Sequence, residues 1–129
     1  MARILVVDDE IGIRAAIQRA LERAGHEVSL AVDGLEAARV IREAGADLAL
    51  IDIHMPNMDG IELLITFQAV APAMPVLVMS GGDRNRRLDV LMDATSMGAS
   101  GILTKPFTLV ELRDAVTRAL AAGRQADAG

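Results

Sequence analysis

The sequence predicts a doubly wound α/β domain, in which one parallel sheet lies between two layers of helices. Three observations indicate this class: short apolar runs recur along the chain, amphipathic helical patterns separate them, and glycine or proline punctuates the segments. Strands that read as continuous apolar runs are typical of a parallel sheet covered on both faces. A chain of 129 residues is long enough for one such domain.

The elements follow one another as five strand–helix units. The predicted strands are Arg3 to Val7, Val28 to Ala31, Asp47 to Ile51, Val76 to Met79 and Gly101 to Thr104. The predicted helices carry apolar residues at helical spacing, namely Ile13, Ile17, Leu21 and Ala24; Leu35, Ala38 and Ile41; Ile61, Leu64 and Ile65; Leu88, Leu91 and Met92; and Leu109, Leu112, Val116 and Leu120. Gly25, Gly45 and Gly98 end three of these helices. Right-handed crossovers between successive strands then give a three-layer sandwich with five helices.

The composition argues against several classes of function. A net charge of -5 and an isoelectric point of about 4.9 argue against binding to a nucleic-acid backbone. The absence of cysteine excludes thiol catalysis and thiolate metal sites, and it fits a reducing compartment. The apolar runs are too short to span a bilayer, and the first begins too near the chain start for a signal peptide. We therefore expect a cytoplasmic protein that binds neither nucleic acid nor membrane.

Polar residues stand at the ends of four of the five predicted strands. The run from Asp8 to Glu10 follows the first strand, Asp52 closes the third, Ser80 ends the fourth and Lys105 follows the fifth. In open parallel sheets the ligand crevice lies beyond the carboxyl ends of the strands, so these side chains should meet there. Lys105 is the only lysine among 13 basic residues, which suggests a site that prefers a compact ammonium.

The acidic residues after the first strand have two interpretations. Asp8, Asp9 and Glu10 could stabilise the positive end of the first helix. Alternatively, Asp8 and Asp9 could join Asp52 in a cleft, where crowded carboxylates raise one another's pKa or attract a cation. Asp52 ends an apolar strand, where no helix N-terminus accounts for its charge. Its position therefore favours the interpretation that the acidic residues form a cleft. Oxygen ligands in a water-accessible cleft favour Mg2+, a cation that suits phosphate chemistry.

Asp52 is then the candidate nucleophile. A carboxylate can form an acyl phosphate when a metal shields the charge of the incoming phosphoryl group. The Ser80 hydroxyl could donate a hydrogen bond to a phosphoryl oxygen, and Lys105 could pair with another oxygen or with the acids at rest.

Four sequence segments together resemble the receiver domain of two-component response regulators, the chemotaxis-regulator-like fold. They are ILVVDDE in the first strand, DIHMPNMDG after the third, Ser80 with its small neighbour Gly81, and LTKPFT after the fifth. The resemblance extends from Arg3 to about Ala122, which implies a receiver domain over residues 1–122 and a short C-terminal tail over 123–129. It also implies the strand order 2-1-3-4-5 and a cis peptide bond between Lys105 and Pro106.

The resemblance assigns roles to the residues at the strand ends. It implies that Asp52 accepts the phosphoryl group and, with Asp9, binds Mg2+ directly. Asp8 would act on the ion through water, and the main-chain carbonyl of His54 would complete the protein ligands. Ser80 would supply the hydroxyl and Lys105 the ammonium that contact the phosphoryl group.

Two features depart from the family pattern. Family members often carry Tyr or Phe three residues before the site lysine, where this chain has Ile102. The stretch between Ser80 and Gly98 is also longer than is usual in the family. We therefore expect the loop from Gly81 to Arg87 and the start of the fourth predicted helix to carry the conformational change.

The resemblance implies a signalling switch controlled by phosphorylation, and not an enzyme. A histidine kinase or histidine phosphotransfer protein would be the phosphoryl donor. The face formed by the fourth predicted helix, the fifth strand and the last helix would change its binding to a downstream protein partner. Two alternatives remain: a receiver-like scaffold that acts without phosphorylation, and a phosphohydrolase with an aspartyl-phosphate intermediate. A phosphohydrolase of that type requires a second aspartate, two residues after the nucleophile, as general acid and base. This chain has His54 at that position.

Overall fold

The structure, a computed structural model, describes residues 2–8, 10–53, 60–80 and 98–128. Its strands are Arg3–Val7 (β1), Glu27–Ala31 (β2), Leu48–Asp52 (β3), Val76–Ser80 (β4) and Gly101–Thr104 (β5). They form one sheet in the order β2-β1-β3-β4-β5, and every neighbouring pair is parallel. The predicted parallel sheet and its strand order are confirmed.

The described residues form four helices, where the sequence predicted five along the whole chain. They are Ile11–Arg23 (α1), Gly34–Glu43 (α2), Gly60–Val70 (α3) and Leu109–Ala128 (α4, the C-terminal helix). The fourth predicted helix, with Leu88, Leu91 and Met92, lies outside the described residues. Gly25 and Gly45 have φ angles of 93° and 73°. These left-handed conformations favour glycine, so both residues stop the preceding helix as predicted.

Two apolar cores cover the two faces of the sheet. The α1–α4 core includes Ile17 and Leu21 of α1 and Leu112 of α4. The α2–α3 core includes Ile41 of α2 and Phe67 of α3. Because alternate strand residues point to opposite faces, each buried strand contributes to both cores. This is why the buried strands read as continuous apolar runs instead of alternating ones.

The C-terminal helix continues through Ala128, past the predicted end of the domain at Ala122. Gly123 does not stop it, because the surrounding alanine, arginine and glutamine residues favour helix and one interior glycine costs only about 1 kcal/mol. The segment 123–129 is thus helical over most of its length, and its assignment as a separate tail stays a prediction. Within the described part of the chain, no helix combines the length and apolar character needed to cross a membrane.

Candidate functional site

The alternation of side chains along the strands accounts for the position of the site. Val6, Leu50 and Leu103 all belong to the α1–α4 core. Asp8, Asp52 and Lys105 each come two residues later in their strands or just beyond them, so they continue the same side of the sheet. Parallel pairing of β1 with β3 and of β4 with β5 brings the carboxyl ends of these strands to one edge. The convergence of Asp8, Asp52 and Lys105 therefore follows from the alternation of side chains along the strands, whereas Ser80 comes two residues after Val78 of the α2–α3 core and continues the other side of the sheet.

Lys105 joins the two buried aspartates. Its Nζ lies 3.0 Å from Asp52 Oδ2 and 3.2 Å from Asp8 Oδ2. The Lys105 side chain is 17% exposed and the Asp52 side chain 6%, whereas the Asp8 side chain is fully buried. Burial by itself lowers the pKa of Lys105, but hydrogen bonds and charges from Asp52 and Asp8 outweigh burial and raise it above 10.5. Lys105 is therefore an ammonium at neutral pH and balances part of the acidic charge.

Three further contacts fix Asp8. The Glu10 main-chain N–H donates to Asp8 Oδ1 at 2.9 Å, and Arg14 Nη1 donates to the Asp8 carbonyl at 2.8 Å. The Asp8 N–H donates to the Ala31 carbonyl of β2 at 3.2 Å. With Lys105 on its other carboxylate oxygen, Asp8 has donors on both oxygens and a defined orientation. This satisfied environment lets a carboxylate stay in the interior.

A group of three carboxylates could hold a metal ion at this edge. Oxygen atoms of Asp8, Glu10 and Asp52 all lie within 4.8 Å of one another. Carboxylate oxygens without cysteine or histidine match the preference of Mg2+. The predicted ligands Asp9 and His54 lie outside the described residues, so the structure gives no geometry for them. Asp8 and Asp52 come together as expected, and Glu10 joins them.

Ser80 lies at the same edge but contacts the site through its backbone. The Lys105 N–H donates to the Ser80 carbonyl at 2.7 Å, which ties the end of β4 to the lysine. Its side chain is fully buried, and Oγ has no hydrogen-bond partner among the described residues. A buried hydroxyl without a partner is costly, so the partner of Ser80 Oγ is expected outside the described residues, in the rest of the chain or in a bound water or ligand. The peptide bond after Lys105 is cis, as the resemblance implied.

Two residues near the site were missed as functional candidates. Glu10 belongs to the acidic run expected at this edge of the sheet, but the sequence assigns it no role as a ligand. Arg14 is a basic residue close to the N-terminus of α1, where the helix dipole disfavours positive charge. That unfavourable placement is a signal in the sequence that a specific acceptor holds the guanidinium, and the acceptor is the Asp8 carbonyl.

An apolar groove between α1 and the C-terminal helix reaches the site. Its volume is about 380 Å³, and it is lined by Ile13, Ala16, Ile17, Lys105, Pro106, Phe107, Leu109 and Leu112. A neighbouring depression shares Ala16 and Leu109 and is lined further by Arg19, Arg23 and Arg113. The surface beside Lys105 is therefore apolar with a basic extension, although the whole chain is acidic.

Comparison with known proteins matches residues 4–117 to the response regulator receiver domain. One similar protein is sporulation initiation phosphotransferase F of Bacillus subtilis, 33% identical over 118 residues, which are 92% of this chain and 93% of that protein. Another is the transcriptional regulatory protein PrrA of Mycobacterium leprae, 38% identical over 110 residues. That match covers 85% of this chain but only 46% of PrrA.

Solved structures give the same result. The chain is similar to NtrX from Brucella abortus in complex with ADP, with a TM-score of 0.92 and 31% identity, over 98% of this chain and 28% of NtrX. It is also similar to the chemotaxis response regulator CheY4 of Vibrio cholerae, with a TM-score of 0.83 and 31% identity. The second match covers 92% of this chain and 98% of CheY4.

Proposed function

Because this chain belongs to the response regulator receiver domain family, we propose that it is a signalling switch that accepts a phosphoryl group on Asp52. The observation that carries this proposal is the double ion pair of Lys105 with Asp8 and Asp52 at the carboxyl edge of the sheet. It places a nearly buried carboxylate beside a cation and an acidic group at the edge where ligands of such sheets bind. Residues 1–122 would form the receiver domain.

The acidic group fits Mg2+ by its donor chemistry. Asp8 and Asp52 are the described residues that would hold the ion, and Asp9 and the His54 carbonyl are further ligands proposed from the sequence. The bound ion would supply positive charge that offsets the repulsion between Asp52 and an incoming phosphoryl group. The unpartnered Ser80 hydroxyl supports this chemistry, because a phosphoryl oxygen would accept its hydrogen bond.

The transfer step uses an Asp52 carboxylate oxygen as the nucleophile. That oxygen forms a bond to phosphorus while the bond between phosphorus and the donor histidine nitrogen breaks, and the electron pair stays on the imidazole. Lys105 pairs with a phosphoryl oxygen in the product, which weakens its contacts with Asp52 and Asp8. Phosphorylation thereby changes the ion pairs of Lys105, and this change would couple phosphoryl transfer to a conformational change.

A histidine kinase or histidine phosphotransfer protein is the proposed donor, and a downstream protein partner would receive the signal. The groove beside Lys105 suits a donor surface that presents apolar residues flanked by acidic ones, because Arg19, Arg23 and Arg113 extend it. Output would use the face of the fourth predicted helix, β5 and the C-terminal helix. The chain spans most of the Bacillus phosphotransferase but about half of PrrA, so the activity of a longer protein is not carried over.

The test is phosphorylation by acetyl phosphate and by a phosphohistidine protein donor, each with Mg2+. Intact-mass measurement should find one added phosphoryl group on the wild type and none on Asp52→Asn. Asp114→Asn, which removes an exposed aspartate of the C-terminal helix, is the matched control and should accept the group normally. Arg23→Glu should slow transfer from the protein donor and leave acetyl phosphate transfer unchanged.

Other results would support the alternatives. A wild type that binds its partners but takes no phosphoryl group from either donor would be a scaffold. Multiple turnover of a phosphate ester, with release of inorganic phosphate that requires Asp52, would indicate a phosphohydrolase. Label on a residue other than Asp52 would overturn the assignment of the acceptor.

A further inference from the structure

Glu10 has an exposed carboxylate that the helix end does not use. It occupies the N-cap position of α1, but its side chain makes no capping hydrogen bond. A Glu10 oxygen lies within 4.8 Å of carboxylate oxygens of Asp8 and Asp52. The side chain therefore lies beside the acidic cleft.

The described cations do not balance this third carboxylate. Lys105 pairs with Asp8 and Asp52, and the Arg14 guanidinium donates to the Asp8 carbonyl. Among the described residues, no ion pair reaches Glu10. Among the described residues, the three carboxylates face one ammonium, that of Lys105, and like charges at this separation repel one another. The arrangement is favourable when a divalent cation is present.

The buried Ser80 hydroxyl at this edge of the sheet is compatible with a ligand that enters there. It is fully buried and has no hydrogen-bond partner in the described part of the chain. Since buried polar groups are nearly always paired, the missing partner belongs to something outside the described residues. Ser80 also bonds through its carbonyl to the backbone of Lys105, so it is directly connected to the residue that holds the acids.

We propose that Glu10 is a positioning residue for Mg2+ that binds the water shell of the ion at the mouth of the cleft. The inference rests on the proposed function and adds a residue to its metal site. Mg2+ keeps several waters when proteins bind it. Asp8 and Asp52 are buried, whereas Glu10 is exposed. Glu10 is thus the described carboxylate best placed to accept hydrogen bonds from waters on the solvent side of the ion.

The test is calorimetric titration of the full chain with MgCl2, without any phosphoryl donor. Glu10→Gln keeps the size of the side chain and removes its charge, and it should weaken Mg2+ binding roughly tenfold. Glu10→Asp keeps the charge and should recover much of the affinity. Glu43→Gln is the matched control, because it removes an exposed carboxylate at the end of α2 and should bind like the wild type.

The outcomes separate this inference from the proposed function. Unchanged Mg2+ affinity in Glu10→Gln, or an equal loss in Glu43→Gln, would overturn the role of Glu10. If wild-type Asp52 still becomes phosphorylated in that case, the proposed function stands without it. If Glu10→Gln and Glu10→Asp weaken binding equally, the charge is not responsible and the inference is wrong. A wild type that neither binds Mg2+ nor accepts a phosphoryl group would overturn both proposals.

Discussion

At the scale of single residues, the contacts of Lys105 determine whether two carboxylates can stay buried side by side. Its ammonium lies within 3.2 Å of both Asp8 and Asp52. A compact ammonium on a flexible stem can approach two oxygens from one side, whereas a planar guanidinium presents its donors in a fixed fork. This explains in physical terms why a chain rich in arginine has its one lysine at this position.

We expect Lys105→Met to destabilise the domain by about 2 kcal/mol at neutral pH, because it leaves Asp8 and Asp52 buried without their cation. Saturating Mg2+ should restore much of this loss, since the ion replaces the missing charge. Urea denaturation with and without MgCl2 measures both effects. Arg118→Met removes an exposed cation from the C-terminal helix, and it should change stability little and show no extra response to Mg2+. Equal effects in the two variants would contradict the pairing argument.

His26 should make stability depend on pH. Burial, followed by the positive charge of the chain's N-terminus, lowers the pKa of His26 below 6.5, and Nδ1 accepts the Ala2 N–H at 3.2 Å. The unfolded state therefore binds the proton more readily, so stability should fall as pH decreases from about 7.5 to about 5.5. Urea midpoints across this range give the measurement. His26→Asn keeps a hydrogen-bond acceptor that does not titrate, so its stability should fall less than that of the wild type over this pH range. An equal fall in both proteins would rule out His26 as the cause.

At the scale of elements, the start of the C-terminal helix is stabilised by a reciprocal cap. The Glu111 N–H donates to Thr108 Oγ1 at 3.1 Å, and the Thr108 N–H donates to Glu111 Oε1 at 3.4 Å. These contacts form a capping box, which satisfies N–H groups that the helix leaves free. The cap lies three residues after Lys105, so it connects the position of the lysine to a helix that packs on the sheet.

Thr108→Ala should cost about 1 kcal/mol of stability, because the side-chain acceptor for the Glu111 N–H is lost. Thr117→Ala changes an exposed threonine within the same helix and should be nearly neutral. The free energy of unfolding in urea compares the two variants directly. If both alanine variants lose the same amount, the contribution comes from helix propensity or packing and not from the cap.

Ile102, which stands where family members often have Tyr or Phe, lies in the fifth strand. This residue pairs with Val78 in the sheet and packs, half-buried, against the α2–α3 core. Its branched side chain is stiff at the first torsion, so it cannot swing as an aromatic ring can. The loop from Gly81 to Arg87, which we predict to carry the change instead, lies outside the described residues.

NMR shifts on adding Mg2+ and beryllofluoride, a phosphoryl mimic, test this prediction. We expect the largest shifts from Ser80 to about Leu91, because the glycines there allow two backbone arrangements. Replacing Gly81 and Gly82 with alanine should reduce the response more than Ile102→Val does. The reverse ranking would show that aliphatic repacking in β5 carries the signal.

At the scale of the whole molecule, the strand order and the face of the sheet to which each strand residue points were predictable, but the turn after β1 was not. Continuous apolar runs indicated a doubly covered parallel sheet, and polar residues at strand ends indicated where Asp8, Asp52 and Lys105 would meet. The position of Glu10 depends instead on how the backbone turns from β1 into α1, which no hydrophobic period reports. The same holds for Arg14, whose acceptor is a main-chain carbonyl. Family resemblance supplied the strand order.

Mg2+ should stabilise the whole domain, because two of its proposed ligands, Asp8 and Asp52, lie at the carboxyl ends of strands at the centre of the sheet. β1 pairs with β3 from Ile4 with Leu48 to Val7 with Ile51, directly before Asp8 and Asp52. Global unfolding therefore separates the ligands, and an ion that binds only the folded state adds stability according to its affinity. The gain is about 1.4 kcal/mol when free Mg2+ is tenfold above its dissociation constant.

We therefore expect the urea midpoint of the wild type to rise with MgCl2, and that of Asp52→Asn to stay nearly constant. Neutralising Asp52 removes a carboxylate that the cation would contact, while Asp8 keeps its bonds from Glu10 and Arg14. NaCl at matched ionic strength gives the control, because general screening of an acidic chain also raises stability. If Asp52→Asn gained as much from MgCl2 as the wild type, the ion would act by screening, and the metal site would have to lie elsewhere.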